Sequence, residues 1–271
     1  MQLDAVVIAG GIPQPGDLLY EASHGRPKSL IEIAGKPMGQ WVVDALSAAA
    51  SIRHLIIVGL EPEHGITSNK VVAYIPDRGT LLHNVMAGLE RLGEISPHAQ
   101  YVLGCTADVP TLTAPIVDHI LQQWQQRYPS AQADLYYHIV PRALMERRFP
   151  GAARSYVHLV EGDFAGADIH IAAPHVIHAH RDLWEALLNN RKNALKQAAR
   201  LGADFFLKLF LRRLSIAELE QRVPARLGLT VKAVPVDYAE AGMDVDKPHQ
   251  LAICIRDLEQ HRAARSENAT A

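Results

Sequence analysis

Two groups of residues far apart in the chain have the types and spacing to hold a polyphosphate and its counter-ion. Near the N-terminus an apolar run, Ala5 to Ala9, breaks into Gly10-Gly11, and two cations follow in Gly25-Arg26-Pro27-Lys28-Ser29-Leu30. In mid-chain a second apolar run, Tyr101 to Cys105, ends in Thr106-Ala107-Asp108-Val109-Pro110. A glycine turn behind a strand exposes backbone N–H groups to an anion, and a strand-end carboxylate can hold a divalent cation. Arg26 and Lys28 supply positive charge against a triphosphate. The combination points to a nucleoside triphosphate with a magnesium ion.

A single carboxylate holds magnesium weakly, because the ion keeps several waters and leans on substrate phosphates. A second ligand is therefore expected, and Met243-Asp244-Val245-Asp246-Lys247-Pro248 offers Asp244 and Asp246, which share a face if the segment is extended. Asp77-Arg78-Gly79-Thr80 leads from a strand to a helix, where Gly79 permits close approach of a nucleobase to the backbone and Thr80 can cap the helix. The glycine segment is neither G-x-G-x-x-G nor a Walker A loop. His170, His175, His178 and His180 lack metal-ligand spacing and read as exposed or strand-edge residues.

These residues must be positioned by a repeating strand–helix pattern. Strands are expected at Val6–Ala9, Leu55–Val58, Val71–Ile75 and Tyr101–Cys105, alternating with helices at Pro37–Ala50, Leu81–Leu92 and Thr113–Trp124. Thr113 is the expected N-cap of the third helix, with Pro115 in its first turn. Such alternation gives a mostly parallel sheet covered on both faces, with ligands at the carboxyl ends of the strands. Further strands are expected at Leu135–Val140, Ser155–Val160, Ile169–Ala173 and Thr230–Val236, with a helical elaboration at about 181–226 and a closing helix at Pro248–Ala263. The organisation expected is one domain over 1–260 and a flexible tail at 261–271. An apolar helix at 204–213 suits core packing or a homodimer contact.

The composition narrows the partners. A chain of 271 residues with a formal charge of -2 has no global field favouring nucleic acid or an anionic membrane. No run approaches the roughly 18 apolar residues of a membrane span. Cys105 and Cys254 give neither a disulfide framework nor zinc spacing, which fits a cytoplasmic setting. The N-terminus carries no signal-like segment.

In order and spacing, Val7-Ile8-Ala9-Gly10-Gly11, Arg26-Pro27-Lys28-Ser29-Leu30, Ile33-Ala34-Gly35-Lys36-Pro37-Met38, Ala107-Asp108-Val109-Pro110 and Asp244-Val245-Asp246-Lys247-Pro248 resemble the nucleotidyltransferases of GT-A-like, Rossmannoid fold. That superfamily includes sugar-1-phosphate nucleotidyltransferases and the molybdenum-cofactor guanylyltransferase. The resemblance implies an α/β fold and transfer of an NMP group from an NTP to a small phosphorylated acceptor, with Mg²⁺ as cofactor and release of pyrophosphate. It implies that Ala9, Gly10, Gly11, Lys28, Gly79 and Asn84 bind the nucleotide and that Asp108 and Asp246 hold the metal. Lys28, Arg26 and Asp108 would be catalytic, and Gly162, Gly166 and Asp168 would face the acceptor. Relatives carry a basic residue shortly after the glycines; here Ile12-Pro13-Gln14-Pro15-Gly16-Asp17 has none, and Arg26 is expected to replace its charge. Two other functions suit the same fold. An NDP-sugar glycosyltransferase would want Asp-x-Asp where Ala107-Asp108-Val109 stands, and a non-catalytic nucleotide-binding protein would keep the cleft without turnover.

Overall fold

The computed structural model describes residues 1–176, 208 and 211–270. In chain order its elements are β1 (Leu3–Ile8), α1 (Tyr20–Ser23), β2 (Glu32–Ile33), β3 (Lys36–Pro37), α2 (Met38–Ala48), β4 (Ile52–Val58), β5 (Val71–Ile75), α3 (Leu81–Ile95), β6 (Val102–Thr106) and α4 (Ala114–Arg127). The second half contributes β7 (Leu135–Pro141), α5 (Arg142–Arg148), β8 (Val157–Leu159), β9 (Gly162–Gly166), β10 (Ile169–Ala172), α6 (Ile216–Leu227), β11 (Val231–Pro235) and α7 (Pro248–Thr270).

The strands form one mixed sheet in the order β5-β4-β1-β6-β10-β7-β9-β8, with β11 paired to β7. β5, β4, β1 and β6 are mutually parallel. β10 runs against both β6 and β7, and β9 runs against β7 and β8. All other strands of this sheet share one direction, so it is mostly parallel. Each parallel connection needs a crossover: α2 supplies it from β1 to β4 and α3 from β5 to β6, while the segment 59–70 joins β4 to β5.

Strand sequences alternate as two-faced burial requires. Leu3, Ala5 and Val7 of β1 join Leu55 and Ile57 of β4 in the larger core cluster, which includes residues of α2, α4 and α7. Val6, Ile56 and Val58 point the other way, onto Leu89 and Leu92 of α3. The sheet is thus covered on both faces, and its loops are free to work at the strand ends.

The structure departs from the sequence reading in several places. α5 follows directly on β7, and the β2–β3 hairpin and β9 were not expected. β9 is Gly162-Asp163-Phe164-Ala165-Gly166, a poor strand former by composition, and its pairing with β7 and β8 overrides that preference. Thr113 occupies the N-cap position of α4, but its hydroxyl makes no capping hydrogen bond; Pro115 does lie in the first turn. Thr80 does cap α3, accepting from the His83 N–H at 3.2 Å. The closing helix runs on past Ala263 to Thr270. Of the expected 181–226 elaboration, the described part is Lys208 and residues 211–226, with α6 at its end. The 204–213 helix proposed for dimer packing, His178 and His180 lie outside the described residues, save Lys208 and Leu211 to Arg213. No described helix is long and apolar enough to cross a membrane.

His170, expected to be exposed or at a strand edge, lies on β10 between β6 and β7 and is only partly exposed. His138 is fully buried, with Nδ1 2.8 Å from the Ile169 carbonyl, and its ring stacks on that of His170. Burial pushes the His138 imidazole down to about 4. Between that value and the unperturbed 6.5 the unfolded chain binds more protons than the folded one, so stability rises with pH across this window and is lost on acidification. We expect roughly 3 kcal/mol of unfolding free energy to disappear from this residue between pH 6.5 and pH 4. Urea titrations of the wild type and of His138→Asn check this, the variant giving the shallower pH slope.

Candidate active site

The first half of the sheet places its open end where a ligand can enter. β1 has β4 on one side and β6 on the other, so the chain leaves β1 outward and later returns across it. Ligands bind beyond the carboxyl ends of such strands. Ala9-Gly10-Gly11 follows β1 there, and Ala107-Asp108 follows β6. The two ends are stitched together by the Ala107 N–H donating to the Ile8 carbonyl at 2.9 Å.

The long loop after Gly11 is tied back at its far end. The Lys28 N–H donates to the Gly11 carbonyl at 2.9 Å, and the buried Ser29 hydroxyl donates to the Ala9 carbonyl at 2.8 Å. Lys28 is thereby held beside the glycine turn. Its ammonium lies 2.5 Å from Asp108 Oδ2 and 2.8 Å from Asp246 Oδ1. Asp246 is brought in because the Val245 N–H donates to the Asp108 carbonyl at 3.0 Å and the Asp246 N–H donates to Gln250 Oε1 at 2.9 Å. Residues from three distant stretches thus converge. Burial works against the Lys28 ammonium, but the Asp108 and Asp246 charges outweigh it and raise its pKa. Asp246 is held low by Lys28 against a contrary effect of burial.

Asp168 and Asp244 form a second layer of carboxylate. Arg154, which the sequence reading missed, pairs with Asp244 and brings Nη2 to 3.9 Å from Asp168 Oδ2. Of the two aspartates in the 243–248 segment, Asp244 is buried against Arg154, and Asp246, its side chain 58 % exposed, meets Lys28. Burial, reinforced by the Asp108 charge, pushes Asp168 up to about 7. Four carboxylates face two cations here, so with all ionised the cluster carries two uncompensated negative charges. Asp108 Oδ1 and Asp168 Oδ2 are buried without a hydrogen-bond partner. Hard oxygen donors with unmet acceptor capacity fit a magnesium ion. No group of three or more His, Cys, Asp or Glu poised for a metal occurs among the described residues, so a cation here would draw its remaining ligands from water and substrate phosphate.

The turn after β5 is braced from α3. Asn84 is buried, donating from Nδ2 to Asp77 Oδ1 at 2.6 Å and accepting from the Arg78 N–H at 2.7 Å. It fixes the turn that carries Gly79, whose φ of 82° suits glycine. Gly10 packs against this turn, backbone to backbone with Gly59 at the end of β4. A Cβ on Gly59 would sit 2.1 Å from the Gly10 nitrogen, and its φ of 95° adds strain for any other residue. Gly59→Ala is therefore expected to cost about 3 kcal/mol and to loosen the nucleotide cleft. Thermal melting and nucleotide titration of that variant measure both effects.

The Arg26 side chain is exposed and forms no ion pair among the described residues. Of Gly162, Gly166 and Asp168, Asp168 meets Arg154 at the edge of this cluster. Gly166 closes β9 and Gly162 opens it, and a Cβ on Gly166 would lie 2.6 Å from Tyr137 Oη.

Comparison with known proteins places the chain in a family. Residues 5–203 match the model of the MobA-like NTP transferase domain. A solved structure described as a hypothetical transferase from Thermus thermophilus is 34 % identical, with a TM-score of 0.78 over 93 % of this chain and 100 % of that one. The molybdenum cofactor guanylyltransferase of Serratia proteamaculans is 27 % identical over 133 residues, which span 49 % of this chain and 60 % of that protein's length. The CTP complex of CMP:2-keto-3-deoxy-manno-octonic acid synthetase shares the fold at 14 % identity and a TM-score of 0.56, over 97 % of this chain and 100 % of that one. The chain belongs to the MobA-like NTP transferase domain family, a family of nucleotidyltransferases.

Proposed function

We propose that this protein transfers an NMP group from an NTP to a small phosphorylated acceptor, with Mg²⁺ and release of pyrophosphate. The observation that carries the reading is the meeting of Lys28, Asp108 and Asp246 beside Gly10-Gly11 at the carboxyl ends of β1 and β6.

An acceptor phosphate oxygen attacks the α-phosphorus, and the bond to the β-phosphate breaks with its electrons leaving on pyrophosphate. The backbone of Ala9, Gly10 and Gly11 receives phosphates and base, and the Gly79 turn receives the base edge. Lys28 neutralises charge on the triphosphate and the departing pyrophosphate. Asp108 and Asp246 would hold Mg²⁺, which when bound withdraws charge from the phosphoryl oxygens. An anionic acceptor needs no general base, so positioning and charge neutralisation supply the rate. Asp168 borders the centre on the acceptor side, and Arg154 fixes it together with Asp244. We place the reaction in the cytoplasm, on the strength of two buried free thiols.

A thermal-shift panel of GTP, CTP, UTP, ATP and dTTP, each with and without Mg²⁺, tests this. One nucleotide is expected to raise the melting temperature in a metal-dependent way, and GTP is the first choice given the guanylyltransferase relative. Pyrophosphate must then appear on adding acceptors; free NDP instead would favour the glycosyltransferase, and binding without turnover the non-catalytic reading.

A further inference from the structure

The ammonium of Lys28 occupies a place that the proposed reaction needs for something else. Oxygens of Asp108 and Asp246 approach it to 2.5 and 2.8 Å, so a single point lies within reach of both. A cation shared by Asp108 Oδ2 and Asp246 Oδ1 would lie close to where Nζ now sits. The same ammonium is the group best placed to meet a triphosphate, because the Lys28 N–H is fixed to the Gly11 carbonyl. One ammonium cannot fill both places.

We infer, building on the nucleotidyl-transfer reading, that Lys28 is a resident counter-ion. In the free protein it fills the cation position between Asp108 and Asp246, and it vacates that position only when a polyphosphate draws it toward the glycine turn. Two carboxylates this close repel each other unless a positive charge lies between them, and Lys28 supplies that charge before substrate arrives. A dication entering the free protein meets the ammonium at contact and must displace it without an anion to receive it. With a polyphosphate present, the ammonium has a new partner and the dication takes over the carboxylates. The movement is a side-chain swing on a flexible four-carbon stem whose backbone stays pinned to Gly11. Metal and nucleotide binding are then coupled, and each tightens the other by the same factor. The free protein stays closed to stray divalent ions, and the metal enters with its substrate.

Titration of Mn²⁺ into the nucleotide-free protein, followed by electron paramagnetic resonance, tests this directly. Lys28→Met and Lys28→Gln are expected to bind Mn²⁺ at least about tenfold more tightly than the wild type, the gain disappearing when Asp108→Asn is added. Mn²⁺ should also raise the melting temperature of Lys28→Met by more than that of the wild type. Equal or weaker Mn²⁺ binding in both folded Lys28 variants overturns the inference, as does a gain that survives Asp108→Asn. If the wild type still makes pyrophosphate from an NTP in that case, only the counter-ion role falls. If no nucleotide binds under any metal condition, the underlying reading falls with it.

Discussion

Changing Asp108 to asparagine is expected to lower nucleotidyl transfer by about 10³-fold, equivalent to about 4 kcal/mol of transition-state stabilisation. The substitution keeps the shape of the side chain at the end of β6 and removes its charge. Asp108 faces Lys28 with Oδ2 and carries a second buried oxygen, Oδ1, without a partner. The neighbouring carboxylates are poorly placed to substitute: Asp244 is engaged by Arg154, and burial, the largest cause of the raised Asp168 pKa, remains in the variant. Excess Mg²⁺ should restore little, because Asp246 alone remains as a directly facing charge. Initial rates of pyrophosphate release over a range of Mg²⁺ concentrations measure this, and activity within threefold of the wild type would refute the role given to Asp108.

Lys28→Ala is expected to reduce turnover by about 10²- to 10³-fold through loss of the charge that meets the triphosphate. During turnover the leaving pyrophosphate loses its cation, whereas in the free protein Asp108 and Asp246 are left facing each other without the ammonium between them. Arginine should rescue poorly, since its planar fork differs in shape from the compact ammonium held between two carboxylates. The expected signature is a fall in kcat larger than the rise in KM for the NTP. A change confined to KM would make Lys28 a binding group only.

The centre was legible in the sequence where chain punctuation marks a strand end. Gly10-Gly11 and Asp108-Val109-Pro110 close apolar runs, and Asp246 stands just ahead of Pro248, the first residue of α7. The alternation of strand and helix in the first half followed from hydrophobic period alone, since each element there buries a full face. Arg154 could not be read in this way. It sits after Pro150-Gly151-Ala152-Ala153, outside any periodic element, and its partner Asp244 lies far along the chain. An ion pair between remote loops leaves no local pattern. Asn84 entered through the resemblance alone, and its hydrogen bonds with Asp77 and Arg78, which brace the Gly79 turn, follow from no local sequence pattern. Arg26 was singled out for its charge and its place beside Lys28, and its side chain is exposed in the structure. Pro27, extended at φ -48° and ψ 133°, separates it from the helical turn that starts at Lys28.

The knot between Lys28 and Gly11 has an implication for how such a protein can diversify. Because that bond and the Ser29 bond to Ala9 fix both ends of the span, the exposed stretch around Ile12, Gln14 and Gly16 can be lengthened without dragging the chemistry with it. Doubling a closed loop costs only about 0.6 kcal/mol. Insertions there could append new recognition surface above the cleft while the reacting groups beneath keep their registration.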